Sequence, residues 1–131
     1  MVIENFLYTY ISQEERYDEG VVIIQEGSKG QWAYIVLEGT VKVKKKTSKG
    51  VVTIDTLSEG DIFGEMILWQ AGQGTRTASI IAETKVRVGV LNTELLMKEY
   101  ETISPRLKSL IGSLIQRLAS TTQRVVKLAI E

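Results

Sequence analysis

Two side chains in this 131-residue chain have types and surroundings suited to binding chemistry, Glu65 and Arg76. They lie within the stretch FGEMILWQAGQGTRTASI, from Phe63 to Ile80, in which strand-like sequence gives way to glycines and a lone arginine between two threonines. A carboxylate only accepts hydrogen bonds, a guanidinium offers five donors, and glycine lets backbone amides approach a ligand closely. If residues 65 to 69 open a short helix, the free amides around Gly64, Glu65 and Met66 favour an anion at one spot. Arg76 can reach the same anion bidentately, and Glu65 can accept from a sugar hydroxyl beside it, so a cyclic phosphate suits the set.

Composition removes the main competitors. The chain has no cysteine and no histidine, which takes away disulfides, thiol nucleophiles, most zinc sites and Ser-His-Asp catalysis. Glu65 has no companion acid within the segment, the nearest being Asp61 before it and Glu83 after, so paired-carboxylate hydrolysis lacks its parts. An enzyme is not expected, and no metal or cofactor is called for. Lys+Arg and Asp+Glu both number 16, which leaves no net charge to attract nucleic acid or an anionic membrane. No stretch approaches a membrane span, and the amino terminus lacks a signal-peptide pattern, so a cytoplasmic location is expected.

The elements that must position these residues are legible in outline. Before Gly20, Ile3, Phe6, Leu7, Tyr10 and Ile11 recur at three-and-four spacing, which predicts an N-terminal helical segment over 1–19. VVIIQ, AYIVL, VKVKKK, VVTIDTL, ASIIA and VRVGVL then read as short strands separated by EGSKG, EGT, TSKG and SEGD. Strands this short and close predict an antiparallel β-roll over 20–91, of double-stranded β-helix or jelly-roll type, in a mainly β domain with flanking helices. Alternation puts Val41 and Val43 on one face of their strand and Lys42 and Lys44 on the other, and the lysines of that hairpin are expected in solvent.

Helical periodicity returns over 92–131, with Asn92 or Thr93 capping a short helix and Ser104-Pro105 opening a long one. Leu107, Ile111, Leu114, Leu118, Thr121, Val125 and Leu128 form one stripe of that helix, and Ile115, Ala119, Thr122, Val126 and Ala129 a second. Two arrangements follow with equal weight. Either one stripe packs on the roll while the other pairs with a second molecule, or both form one broad face on one core. The whole chain is one domain on this reading.

EGVVIIQEGSKGQWAYIVLEGTVKV, LSEGDIFGEMILW and TRTASI together resemble the cyclic nucleotide-binding domain family, with glycines Gly20, Gly27, Gly39, Gly60 and Gly64 at that family's turns. The resemblance places a phosphate-binding cassette at 60–80. It implies that Glu65 binds the ribose 2′-hydroxyl, that Arg76 with the amides of Gly64 and Met66 holds the cyclic phosphate beside Phe63, and that Thr77 meets the phosphate or base. LASTTQRVVKLA is similar to the long helix of the catabolite activator branch, which implies that Thr121 and Thr122 contact the base. cAMP is the expected ligand, with cGMP tolerated.

A sensor of this kind signals through a partner: an effector protein, or a homodimer through the carboxyl-terminal helix. The family's transcription factors carry a DNA-binding domain after that helix, and with none before Glu131, direct DNA binding by this chain is not expected. Three departures support a different expectation, a degenerate domain that serves as an interaction or dimerisation module. Glu65 and Arg76 stand eleven apart (76 − 65), wider than the family's usual spacing, Thr75 replaces a common proline, and Ile67 a usual small residue.

Overall fold

A computed structural model of the protein describes residues 7–65 and 74–130. A single 3₁₀ turn at Leu7–Tyr10 leads into eight strands: β1 (Ile11–Tyr17), β2 (Val22–Ile24), β3 (Tyr34–Glu38), β4 (Val41–Thr47), β5 (Gly50–Leu57), β6 (Ile62–Phe63), β7 (Ser79–Ala82) and β8 (Val86–Leu91). Two helices follow, α1 (Thr93–Thr102) and α2 (Pro105–Ile130). The strands form two four-stranded sheets in the orders β1-β8-β3-β6 and β2-β7-β4-β5. All pairs are antiparallel, and the alternation of early and late strands in each sheet is jelly-roll topology, as expected from the sequence.

The core follows from the period of two along each strand. On β3, Tyr34 and Val36 turn toward the other sheet and pack with Ile24, Val41, Phe63, Ile80, Val88 and Val90. Ile35 between them turns outward and is nevertheless fully buried, because the N-terminal turn and α1 cover that side through Tyr8, Tyr10 and Leu96. The first sheet is therefore apolar on both faces, which explains the unbroken hydrophobic runs AYIVL and VRVGVL.

The amino-terminal expectation is corrected: Ile11–Tyr17 is strand, not helix, and the roll begins before Gly20. β8 has a second edge to fill, and β1 fills it in antiparallel register from Ile11 opposite Leu91 to Tyr17 opposite Val86. Gly89 makes room for Ile11, since a Cβ there would come within 2.8 Å of the isoleucine side chain. Long-range pairing here outweighs a local helical period. Of the residues that carried that period, Ile3 and Phe6 lie outside the described ones. β6, a two-residue strand, was too short to read from sequence.

The carboxyl-terminal helices begin where the caps predicted. Asn92 Oδ1 accepts from the Leu95 amide at 3.0 Å, and Ser104 Oγ accepts from the Leu107 amide at 3.2 Å. α2 lies against β5 and β4 through a half-buried row, Ile111, Ile115, Ala119, Thr122 and Val126. Leu107, Leu110, Leu114, Leu118, Val125 and Leu128 remain exposed, and no residue of α2 is fully buried. The two stripes thus do not form one broad face on one core.

Candidate ligand-binding site

Arg76 occupies an unusual position for an arginine. It is 6% exposed, and its backbone is fixed before its side chain is considered. The Arg76 amide donates to Ser28 O at 2.9 Å, its carbonyl accepts from the Gly27 amide at 2.8 Å, and the Gly30 amide donates to Gly74 O at 2.9 Å. With the bridge between Lys29 and Thr75, residues 27–30 and 74–76 make a short antiparallel ladder. That ladder sets where Arg76 emerges, whatever the length of the loop before it.

The guanidinium then crosses Gly30. A Cβ on Gly30 would lie 2.5 Å from both Nε and Nη2 of Arg76, so this position must be glycine for the side chain to take its path. Nη2 donates to Trp32 O at 2.8 Å and Nη1 to Gly64 O at 3.1 Å. Gly64 has φ +74, in the left-handed region that favours glycine, and a Cβ there would stand 2.9 Å from Nη1. Burial lowers the Arg76 pKa from its ordinary value, and the nearby Tyr34 hydroxyl opposes that. Among the described residues, no carboxylate is in ion-pair contact with Arg76. A buried cation whose partners among the described residues are neutral carbonyls is poorly compensated by them and favours an incoming anion.

Arg76 opens into a cavity of about 460 Å³ between the roll and α2. Phe63, Gly64, Glu65, Arg76 and Thr77 line it from the roll, and Thr121 and Thr122 from the helix. Seven of the eight residues singled out in the sequence therefore meet in one place, and the eighth, Met66, lies outside the described residues, as does Ile67. Their characters differ. Phe63 is a core residue stacked on Tyr34, with ring centroids 5.0 Å apart, and shows the cavity only one surface. Thr121 is exposed, whereas Thr122 is half-buried and its hydroxyl donates to Leu118 O at 3.0 Å. Glu65 is half-buried, and desolvation raises its pKa above the usual carboxylate value of 4.5, opposed by its own backbone amide.

Sequence reasoning missed Lys45 and Asp55, which also line the cavity. The expectation that the lysines of that hairpin are merely solvated is corrected for Lys45. Its Nζ donates to Thr77 O at 2.6 Å and pairs with Glu26 at 3.5 Å. The signal was available in the alternation, because Lys45 shares the face of Val41 and Val43.

The family model described as the cyclic nucleotide-binding domain matches residues 14–102, more than half of the chain. The chain belongs to the cyclic nucleotide-binding domain family. Within that family it is 38% identical over 77 residues to a cAMP-dependent protein kinase regulatory subunit of Yarrowia lipolytica, covering 59% of this chain and 20% of that one. It is 30% identical over 115 residues to the cAMP-activated global transcriptional regulator CRP of Pasteurella multocida, covering 87% of this chain and 54% of the regulator. The solved Thermus thermophilus catabolite activator protein superposes with TM-score 0.70 at 26% identity, covering 95% of this chain and 58% of that one. Both curated relatives are regulators by name, and this domain spans about half or less of their length. No described helix is long and apolar enough to cross a membrane.

Proposed function

We propose that this chain is a sensing module that binds a cyclic mononucleotide, cAMP with cGMP tolerated, in the cavity between the roll and α2. The observation that carries the reading is the buried Arg76, with no ion-paired carboxylate among the described residues, opening into that cavity beside Glu65. In this reading the ring phosphate accepts from the Arg76 donors that Trp32 O and Gly64 O leave over, and from the amides of Gly64 and Met66. Glu65 accepts from the ribose 2′-hydroxyl. Thr77 meets the phosphate or the base, and Thr121 and Thr122 meet the base from α2.

The relatives' names support the ligand class, since both are described by their dependence on cAMP. The signal leaves through α2. A ligand shifts a helix only as far as it binds one arrangement better than another, and a base touching Thr121 and Thr122 provides such a preference. α2 suits that task because its hold on the roll is a single half-buried row. Its exposed leucine stripe then meets a second copy or an effector, and the chain itself turns over no substrate.

Thermal denaturation with and without ligand tests the proposal. A ligand at a hundred times its Kd stabilises the folded state by about 2.7 kcal/mol, which raises the midpoint by several degrees in a domain of this size. We expect that rise with cAMP and a smaller one with cGMP, and none with 5′-AMP. No shift with either cyclic nucleotide would leave a folded scaffold that serves only as an interaction module.

A further inference from the structure

Lys45 lies at the end of an apolar row. Val41 is fully buried, Val43 packs on the core, and Lys45, next on the same face of β4, reaches the cavity wall. An ammonium there is only partly shielded from water and gains from hydrogen-bond partners on the wall. Its partners connect three segments distant in sequence. Nζ donates to the Thr77 carbonyl at 2.6 Å and pairs with Glu26 Oε2 at 3.5 Å, while Glu26 Oε1 accepts from the Lys46 amide at 2.9 Å. The Glu26 amide in turn donates to Ser79 Oγ at 2.9 Å. The loop after β2, strand β4 and the segment entering β7 are thus tied at one point.

Thr77 stands between two fixed neighbours without sharing their support. Arg76 before it is held by the ladder to residues 27–30, and Ser79 after it is paired in β7. Thr77 itself is exposed and outside both, with Lys45 holding its carbonyl. We infer that Lys45 is a positioning residue of the ligand site: it fixes the Thr77 backbone, and with it the way Thr77 lines the cavity. This inference rests on the nucleotide-binding reading above. Its consequence is that affinity depends on a residue of β4 that acts through Thr77 and not on the ligand directly.

A double-mutant cycle separates this role from a general structural one. Calorimetric titration of cAMP is carried out on the whole chain as wild type, Lys45→Met, Thr77→Ala and the double variant, with thermal denaturation confirming that each is folded. Lys45→Met is expected to weaken binding about tenfold, and to change it less than about twofold when Thr77 is already alanine. Lys45→Arg, which keeps a charged donor, is expected to recover at least half of the loss and serves as the second variant should the methionine form unfold. Unchanged affinity in Lys45→Met, the same loss in the Thr77→Ala background, or no recovery by arginine would each overturn the assignment. A wild type that gives no binding heat would instead overturn the nucleotide-binding reading, and this inference with it.

Discussion

Burying a guanidinium is costly unless it is compensated, and Arg76 is buried with its side chain donating to two carbonyl oxygens, those of Trp32 and Gly64. Gly30 makes this possible, because any Cβ would occupy the space of Nε and Nη2. Gly30→Ala should therefore weaken cAMP binding roughly as much as Arg76→Ala does, and adding it to Arg76→Ala should weaken binding little further. Additive losses in that calorimetric series would separate Gly30 from Arg76. Glu65 makes a second prediction. Burial raises its pKa, so the folded state binds its proton more tightly than the unfolded chain, and its stabilising contribution is present below pH 4.5 and lost as pH rises through the raised value. A ribose hydroxyl favours the ionised form, so binding should strengthen as pH rises through the same window and should release protons there. Titrations in two buffers of different ionisation enthalpy measure that release, and Glu65→Gln should abolish it. Glu65 and Arg76 stood out in the sequence by their types and the order of the motifs around them, and the structure brings both to one cavity. Lys45 was not, because strand alternation shows that two residues share a face but not that the face curls over a cavity.

The elements hold the site through turns more than through strands. Gly39 turns β3 into β4 at φ +94, and a Cβ there would lie 2.3 Å from the Lys85 carbonyl. The same turn is bound to the β7–β8 connection, with the Glu83 amide donating to Thr40 O at 2.9 Å and the Thr40 amide to Thr84 Oγ1 at 3.1 Å. Gly39→Ala combines left-handed strain with a backbone clash, and should lower the unfolding free energy by about 2 to 3 kcal/mol in urea denaturation. A loss under about 0.5 kcal/mol would show that the turn relaxes freely. Six of the eight strands were readable as β-branched runs between turn residues, and both helix caps were readable from Asn92 and Ser104. β1 was not, because ISQEERY carries little apolar alternation of its own and becomes a strand by completing β8.

At the scale of the whole molecule, α2 presents a second, exposed apolar face. Leu110, Leu114 and Leu118 are each more than half exposed and follow one another at helical spacing, continuing through Val125 to Leu128. A seam of that length suits an isologous pair of parallel helices, and it passes Thr121, which also faces the ligand cavity. Dimerisation and ligand binding should then be linked. The wild type is then expected to sediment as a dimer, and Leu114→Glu with Leu118→Glu to give a monomer by sedimentation velocity at the same concentration, while the roll keeps its thermal transition. A wild type that sediments as a monomer with and without nucleotide would reserve the stripe for a different protein.

The central claim is that Arg76 holds a cyclic phosphate in this cavity, and parallel calorimetric titrations of wild type and Arg76→Ala with cAMP test it most directly. A charged hydrogen-bonding partner contributes ~1.5 to 3 kcal/mol, so the account predicts saturable heat in the wild type and an affinity roughly ten- to a hundredfold lower in the variant. Equal affinities in the two proteins, or no heat in either, would contradict it.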